Sequence, residues 1–124
     1  MNQILKRFEE NWDGFLSRWR VLLLIFCIAL LADAFSTIHF MRVEGVDAEL
    51  HPVVNLASRC CGPVMGPLLA AAVKAVSGLL VSVYWRPIAS VILGLTSLVS
   101  FWAAWFNLWG HRFYEPAIYS WWPF

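Results

Sequence analysis

Apolar and polar positions along this chain fall into two regimes, one periodic and one continuously apolar. In residues 1–20, Ile4, Leu5, Phe8, Trp12, Phe15, Leu16 and Trp19 fall within about 120° of one another on a helical wheel. Lys6, Glu9, Glu10, Asp13, Ser17 and Arg20 occupy the other side. That pattern predicts an amphipathic helix over 1–20 lying in a membrane interface, with docking of the same face onto a partner subunit as the alternative. Beyond Arg20 the polar side disappears. Three long apolar stretches follow, Val21–Met41, Gly62–Tyr84 and Pro87–Trp109. Each runs about 21 to 23 residues, or roughly 32 to 35 Å as a helix, which matches a hydrocarbon core of about 30 Å.

The expected architecture is therefore an all-α membrane protein. Three transmembrane helices (21–110) are preceded by the amphipathic interfacial helix (1–20) and followed by an aromatic interfacial tail (111–124). The tail carries Phe113, Tyr114, Tyr119, Trp121, Trp122 and Phe124, as in an aromatic belt. Between the first two spans, Glu44, Gly45, Asp47 and Glu49 form an acidic turn. His51 then stands at an N-cap position with Pro52 as first helical residue, which predicts a short helix ending at Gly62.

Composition agrees with this class: 60% of the 124 residues are hydrophobic and 14% charged, with a mean hydropathy of +0.66. A formal charge of +1 gives no footprint for nucleic acid. The lipid bilayer is the expected partner, along with other membrane subunits or further copies of the chain. Lys6, Arg7, Arg18, Arg20 and Arg86 lie on one side of the spans, against Arg42, Arg59 and Arg112 on the other. The positive-inside rule then puts the amino terminus in the cytoplasm, in a multi-pass protein of the inner (cytoplasmic) membrane. The first span is read as retained because it carries Asp33 and follows a structured-looking twenty-residue lead.

Against that background, two charges stand out. Asp33 and Lys74 each fall near the middle of a span, where a lone charge costs roughly 3 kcal/mol on insertion scales. Pairing the two is the cheapest arrangement. Ser36 and Thr37 share the helical face of Asp33 and are placed to add hydrogen bonds. Gly62, Gly66, Ala70 and Lys74 recur every four residues, with Ser77 on the same face, and predict a close helix contact that carries Lys74 to Asp33. Ser90, Gly94, Ser97 and Ala104 predict a packing stripe on the third span.

His39, Glu49 and His51 are the candidate metal ligands by residue type, at spacings that match no standard motif. The sequence leaves the identity of any cofactor unknown. Cys27 and the adjacent Cys60 and Cys61 suggest no disulfide framework, and the absence of a nucleophile–base arrangement or phosphate loop points away from an enzyme. Cys60-Cys61-Gly62-Pro63 with the later Trp85-Arg86-Pro87 is loosely similar to segments of bacterial mercuric-ion transport proteins, without their second cysteine pair.

A broader likeness covers Leu31 to Tyr84. Asp33-x-x-Ser36-Thr37, Glu49-x-His51-Pro52, Gly62-Pro63 and Lys74 resemble an uncharacterised family of small prokaryotic membrane proteins, a domain of unknown function. In that family an Asp-bearing span leads through a Glu-x-Asn-Pro loop to a Lys-bearing span, and here His51 stands in place of Asn. The resemblance implies a three- or four-helix membrane domain with Asp33, Thr37, Glu49, His51 and Lys74 as its shared polar set. It supplies no activity. Three functional expectations follow. The first is a non-catalytic accessory or scaffold subunit of a membrane assembly. The alternatives are an oligomeric transporter of a small solute or ion using the Asp33/Lys74 site, and a metal-binding membrane protein.

Overall fold

Gly14 decides where the first membrane helix begins. Its backbone is left-handed (φ 67°), a conformation glycine adopts without the steric cost other residues bear, so the amphipathic lead breaks at Asp13–Gly14. The computed structural model, which describes residues 1–49 and 51–110, contains α1 (Asn2–Trp12), α2 (Phe15–Glu44), α3 (Pro52–Cys61), α4 (Met65–Tyr84) and α5 (Ala89–Trp105). Short 3-10 turns at Val46–Ala48 and Arg86–Ile88 precede α3 and α5, and a π-helical turn at Phe106–Gly110 extends α5. Three of these segments, Phe15–Glu44, Met65–Tyr84 and Arg86–Gly110, are long and apolar enough to cross a membrane. The protein is an all-α, three-span membrane protein with an amphipathic helix ahead of the spans. Its aromatic tail, 111–124, lies outside the described residues.

Two expected boundaries move. The interfacial helix ends at Trp12 rather than Arg20, and Phe15 to Arg20 become the first turns of α2. Phe15 is completely buried there, in a cluster with Phe26 and Leu30 of α2, Val83 of α4, and Ala89 and Leu93 of α5. An apolar residue on a periodic face can serve a lipid interface or a protein core, and the break at Gly14 assigns Phe15 to the core. The second span begins at Met65, not Gly62. Gly62, at φ 94°, terminates α3, its N–H bonding Ser58 O at 2.8 Å. That is the C-cap role read from the sequence, and it removes Gly62 from the packing stripe. Pro67 falls in the first turn of α4, where its missing N–H is no loss.

α2 is the central element, packed along both α4 and α5, while α3 folds back on the start of α4. The inward row of α4 is Gly66, Ala70, Lys74, Gly78 and Ser82. A Cβ on Gly66 would come within 2.5 Å of the Ser58 backbone in α3, and one on Gly78 within 2.7 Å of Phe26 in α2. Ser77 is exposed, so this row keeps a strict four-residue step. On α5 the buried seam is Ala89, Leu93, Ser97, Ser100 and Ala104. Ser97 and Ala104 belong to it as expected, but Ser90 is exposed and a Cβ on Gly94 would meet nothing within 4 Å. Small residues mark where a helix permits close approach; whether a neighbour takes that face depends on the rest of the bundle.

At the end of the molecule where α2 begins, α1 is clamped to the α4–α5 turn. Arg86 Nη1 donates to the carbonyls of Asn11 (3.1 Å) and Asp13 (2.8 Å), and Asn11 Nδ2 donates to Tyr84 O at 3.1 Å. The Arg7 guanidinium sits 4.5 Å from the Tyr84 ring centroid and 5.2 Å from that of Trp85, a cation–π arrangement. Ile4, Leu5 and Trp12 stay exposed. The helix thus docks through Arg7, Asn11 and Phe8, whose ring lies 5.5 Å from that of Tyr84, and leaves the rest of its apolar side outward, as an interfacial helix requires.

Candidate functional site

The site is built on the face of α2 that turns toward α4. Lys74 Nζ lies 2.9 Å from Asp33 Oδ2, a charge-assisted hydrogen bond of ordinary length. The two ends are unequal in access: the Asp33 side chain is 13% exposed, the Lys74 side chain 35%. Ser36 and Thr37 do not bond the carboxylate. Their hydroxyls donate to the Asp33 carbonyl, at 2.9 and 2.7 Å, in the back-bonding geometry typical of Ser and Thr inside helices. Asn107, from the π-helical turn, donates to Thr37 Oγ1 at 2.9 Å and to Ser36 Oγ at 3.3 Å. This tie crosses from the last span to the first through polar groups that apolar packing would otherwise strand.

The other half of the site is carried by the segment ahead of α3. His51 is the N-cap, its Nδ1 accepting from Val54 N at 3.5 Å, with Pro52 as first residue. Glu49 Oε1 accepts the His51 backbone N–H at 2.9 Å. The segment is held in place by Asn55, whose Nδ2 donates to the carbonyls of Val46 and Glu49, both at 3.1 Å. Arg59 bridges Asn55 Oδ1 and Asp47 Oδ1, both at 2.7 Å. This network brings Glu49 and His51 over the Asp33–Lys74 pair. The result is a cleft of about 490 Å³ between α4 and α5, with α2 as its floor. Asp33, Thr37, Lys74 and Asn107 line it, Glu49 and His51 stand at its α3 end, and Val54, Leu95, Val99 and Ala103 supply apolar wall. A small pocket of about 10 Å³ beside the pair, bounded by Thr37, Pro67 and Ala70, is the size of one water.

Burial raises the Glu49 carboxyl above its usual range; the nearby Asp33 charge adds to this, while the His51 N–H bond, His51 and Lys74 oppose it. The folded state therefore holds the Glu49 proton more tightly than the unfolded chain. Its contribution to stability is greatest below the ordinary carboxylate value of about 4.3 and is lost as pH rises through the raised one. The thermal midpoint of the purified protein in detergent is expected to be higher at pH 4 than at pH 7. Glu49→Gln should flatten that slope, and an unchanged slope in the variant would assign it to another group.

Of the polar residues expected from the sequence, Asp33, Lys74, Thr37, Glu49 and His51 converge on the cleft, and Ser36 sits behind it as a buried tie. His39 does not: it is exposed on another face of α2. Among the described residues no three His, Cys, Asp or Glu side chains are grouped to hold a metal ion, so the His39, Glu49 and His51 set is not assembled. Cys27, Cys60 and Cys61 are exposed and stand apart from the cleft lining. Sequence reasoning missed Asn55 and Asn107. Asn107 had one signal, an amide in an otherwise apolar and aromatic stretch from Phe101 to Trp109.

Fold and site together define a multi-pass α-helical membrane protein with an ionisable cluster inside its bundle. Comparison with protein-family models, curated proteins and solved structures gives no match.

Proposed function

We propose that the protein is a non-catalytic, membrane-embedded binding protein that handles a small solute in the α4–α5 cleft, as a transporter or the solute-binding subunit of one. One observation carries this reading: the Asp33–Lys74 pair is not sealed between helices but floors a cleft that also receives Glu49, His51, Thr37 and Asn107. A pair retained only to hold helices together needs no such opening. Ionisable residues around an intramembrane cavity are the usual mark of a substrate or ion path, and the volume lies within the range of small-molecule sites, about 300 to 1,000 Å³. In a cell with an inner membrane, the basic end formed by α1 and the Arg86 turn would face the cytoplasm. The cleft would then open toward the opposite side.

A second reading, an accessory subunit, draws on α5, where Ser90 and Gly94 leave a small-residue surface open to another membrane helix. Mass spectrometry of the protein gently extracted from its native membrane separates the two. A stoichiometric small molecule, lost from the Asp33→Leu/Lys74→Leu double variant, is the expected result. A stoichiometric larger subunit with no small molecule would replace this reading with the accessory one.

A further inference from the structure

Resting on the binding reading above, we propose that the occupant of the cleft is an organic cation with an apolar body, and that it exchanges one for one with a proton on Glu49. The charges of the site carry the inference. Lys74 is already neutralised by Asp33 at 2.9 Å, which leaves Glu49 as the second carboxylate of the cleft. The other groups facing Glu49 are few. His51 Nδ1 accepts from Val54 N at 3.5 Å, and α5 with its π-helical extension contributes Thr96, Ser100 and Asn107, three side chains that do not titrate. Arg59 is taken up by Asp47 at 2.7 Å.

Asp33, Lys74 and Glu49 together thus sum to zero when Glu49 holds a proton and to one negative charge when it does not. Burial of Glu49 disfavours its uncompensated charge, so Glu49 takes up either a proton or an external cation. An anion would have to draw Lys74 off Asp33 and then face both carboxylates. The apolar wall of Leu95, Val99 and Ala103 suits a hydrocarbon body better than a hydrated metal ion. The exchange balances: the cation enters, the Glu49 O–H bond breaks, the proton leaves to water at the α3 end of the cleft, and the carboxylate remains as counter-ion.

The test uses two ions of the same shape and opposite charge, tetraphenylphosphonium and tetraphenylborate, titrated calorimetrically into the full chain in nanodiscs, with empty nanodiscs as the blank. Repeating the phosphonium titration in buffers of different ionisation enthalpy counts the protons released. The expected result is phosphonium binding with about one proton released on the acid side of the Glu49 titration, where affinity falls up to about tenfold per pH unit. Tetraphenylborate should not bind. Glu49→Gln keeps the oxygen that accepts the His51 N–H, and its helicity by circular dichroism serves as the folding control. It should bind phosphonium more weakly, without pH dependence or proton release. Phosphonium binding without proton release, or equal binding of the borate, overturns the exchange and leaves the binding reading standing. Binding of neither ion overturns the exchange, and if native extraction also yields no small molecule, the binding reading falls with it.

Discussion

Asp33→Asn alone is expected to lower the stability of the protein by about 3 kcal/mol, the usual range for stranding one member of a buried ion pair being about 3 to 5. Lys74→Leu should cost more, because the side chain it strands is the less accessible one: Asp33 is 13% exposed, whereas Lys74 at 35% reaches the cleft. The double change to leucine removes both charges and their desolvation together and should return to within about 1 kcal/mol of the parent. Reversible unfolding of the four proteins in mixed detergent micelles measures this cycle directly. A neutral Asp33→Asn would show that the pair contributes nothing to the fold and leave it with a functional role alone. A double variant as unstable as the worse single one would show that the two helices depend on the charges themselves.

Gly66→Ala should be the most damaging one-methyl change in the bundle. The added carbon would come within 2.5 Å of Ser58 Cα and 2.6 Å of Ser58 N. These are backbone atoms that yield only if α3 moves off α4, at a cost of about 1 to 3 kcal/mol. α3 carries His51 at its head, so the same displacement widens the α3 end of the cleft. Two other glycines act as controls. At Gly78 the obstacle is the tip of the Phe26 ring, 2.7 Å away, a side chain able to turn, and Gly78→Ala should cost less. At Gly94 nothing lies within 4 Å, and alanine's better helix propensity should make Gly94→Ala neutral or stabilising by up to about 1 kcal/mol. Thermal midpoints of the three variants in detergent should fall in that order, and a Gly66→Ala protein as stable as the parent would mean that α3 and α4 are not in backbone contact.

Much of this was legible in the chain because membrane insertion is governed by local quantities. Hydropathy over about twenty residues predicts a span whatever its neighbours are. A charge inside one is costly enough that Asp33 had to find Lys74, there being no other Asp, Glu, Lys or Arg within the apolar stretches as read. Capping is local as well, and His51, Pro52 and Gly62 marked both ends of α3 by their own backbone preferences. The boundary at residue 20 failed because helical periodicity ran through Asp13–Gly14 without a phase change, and only the left-handed Gly14 separates α1 from α2.

What the tertiary structure alone decided is which faces meet. Ser90 and Gly94 were as suited to packing as Ser97 and Ala104, but α2 takes the seam through Ala89, Leu93 and Ser97. Its large side chains, Phe26 and Leu30, fill space there that no property of α5 by itself specifies. Asn107 reaches Thr37 and Ser36 across 70 and 71 positions of chain, and Glu49 comes to the cleft only because Asn55 and Arg59 tie the acidic turn to α3. Those are nonlocal contacts, set by the docking of whole helices. The sequence by itself therefore determined the membrane, the three spans and the Asp33–Lys74 partnership, each the consequence of a local transfer cost. The cleft above that pair, and the company Glu49 keeps in it, arose only when the helices packed.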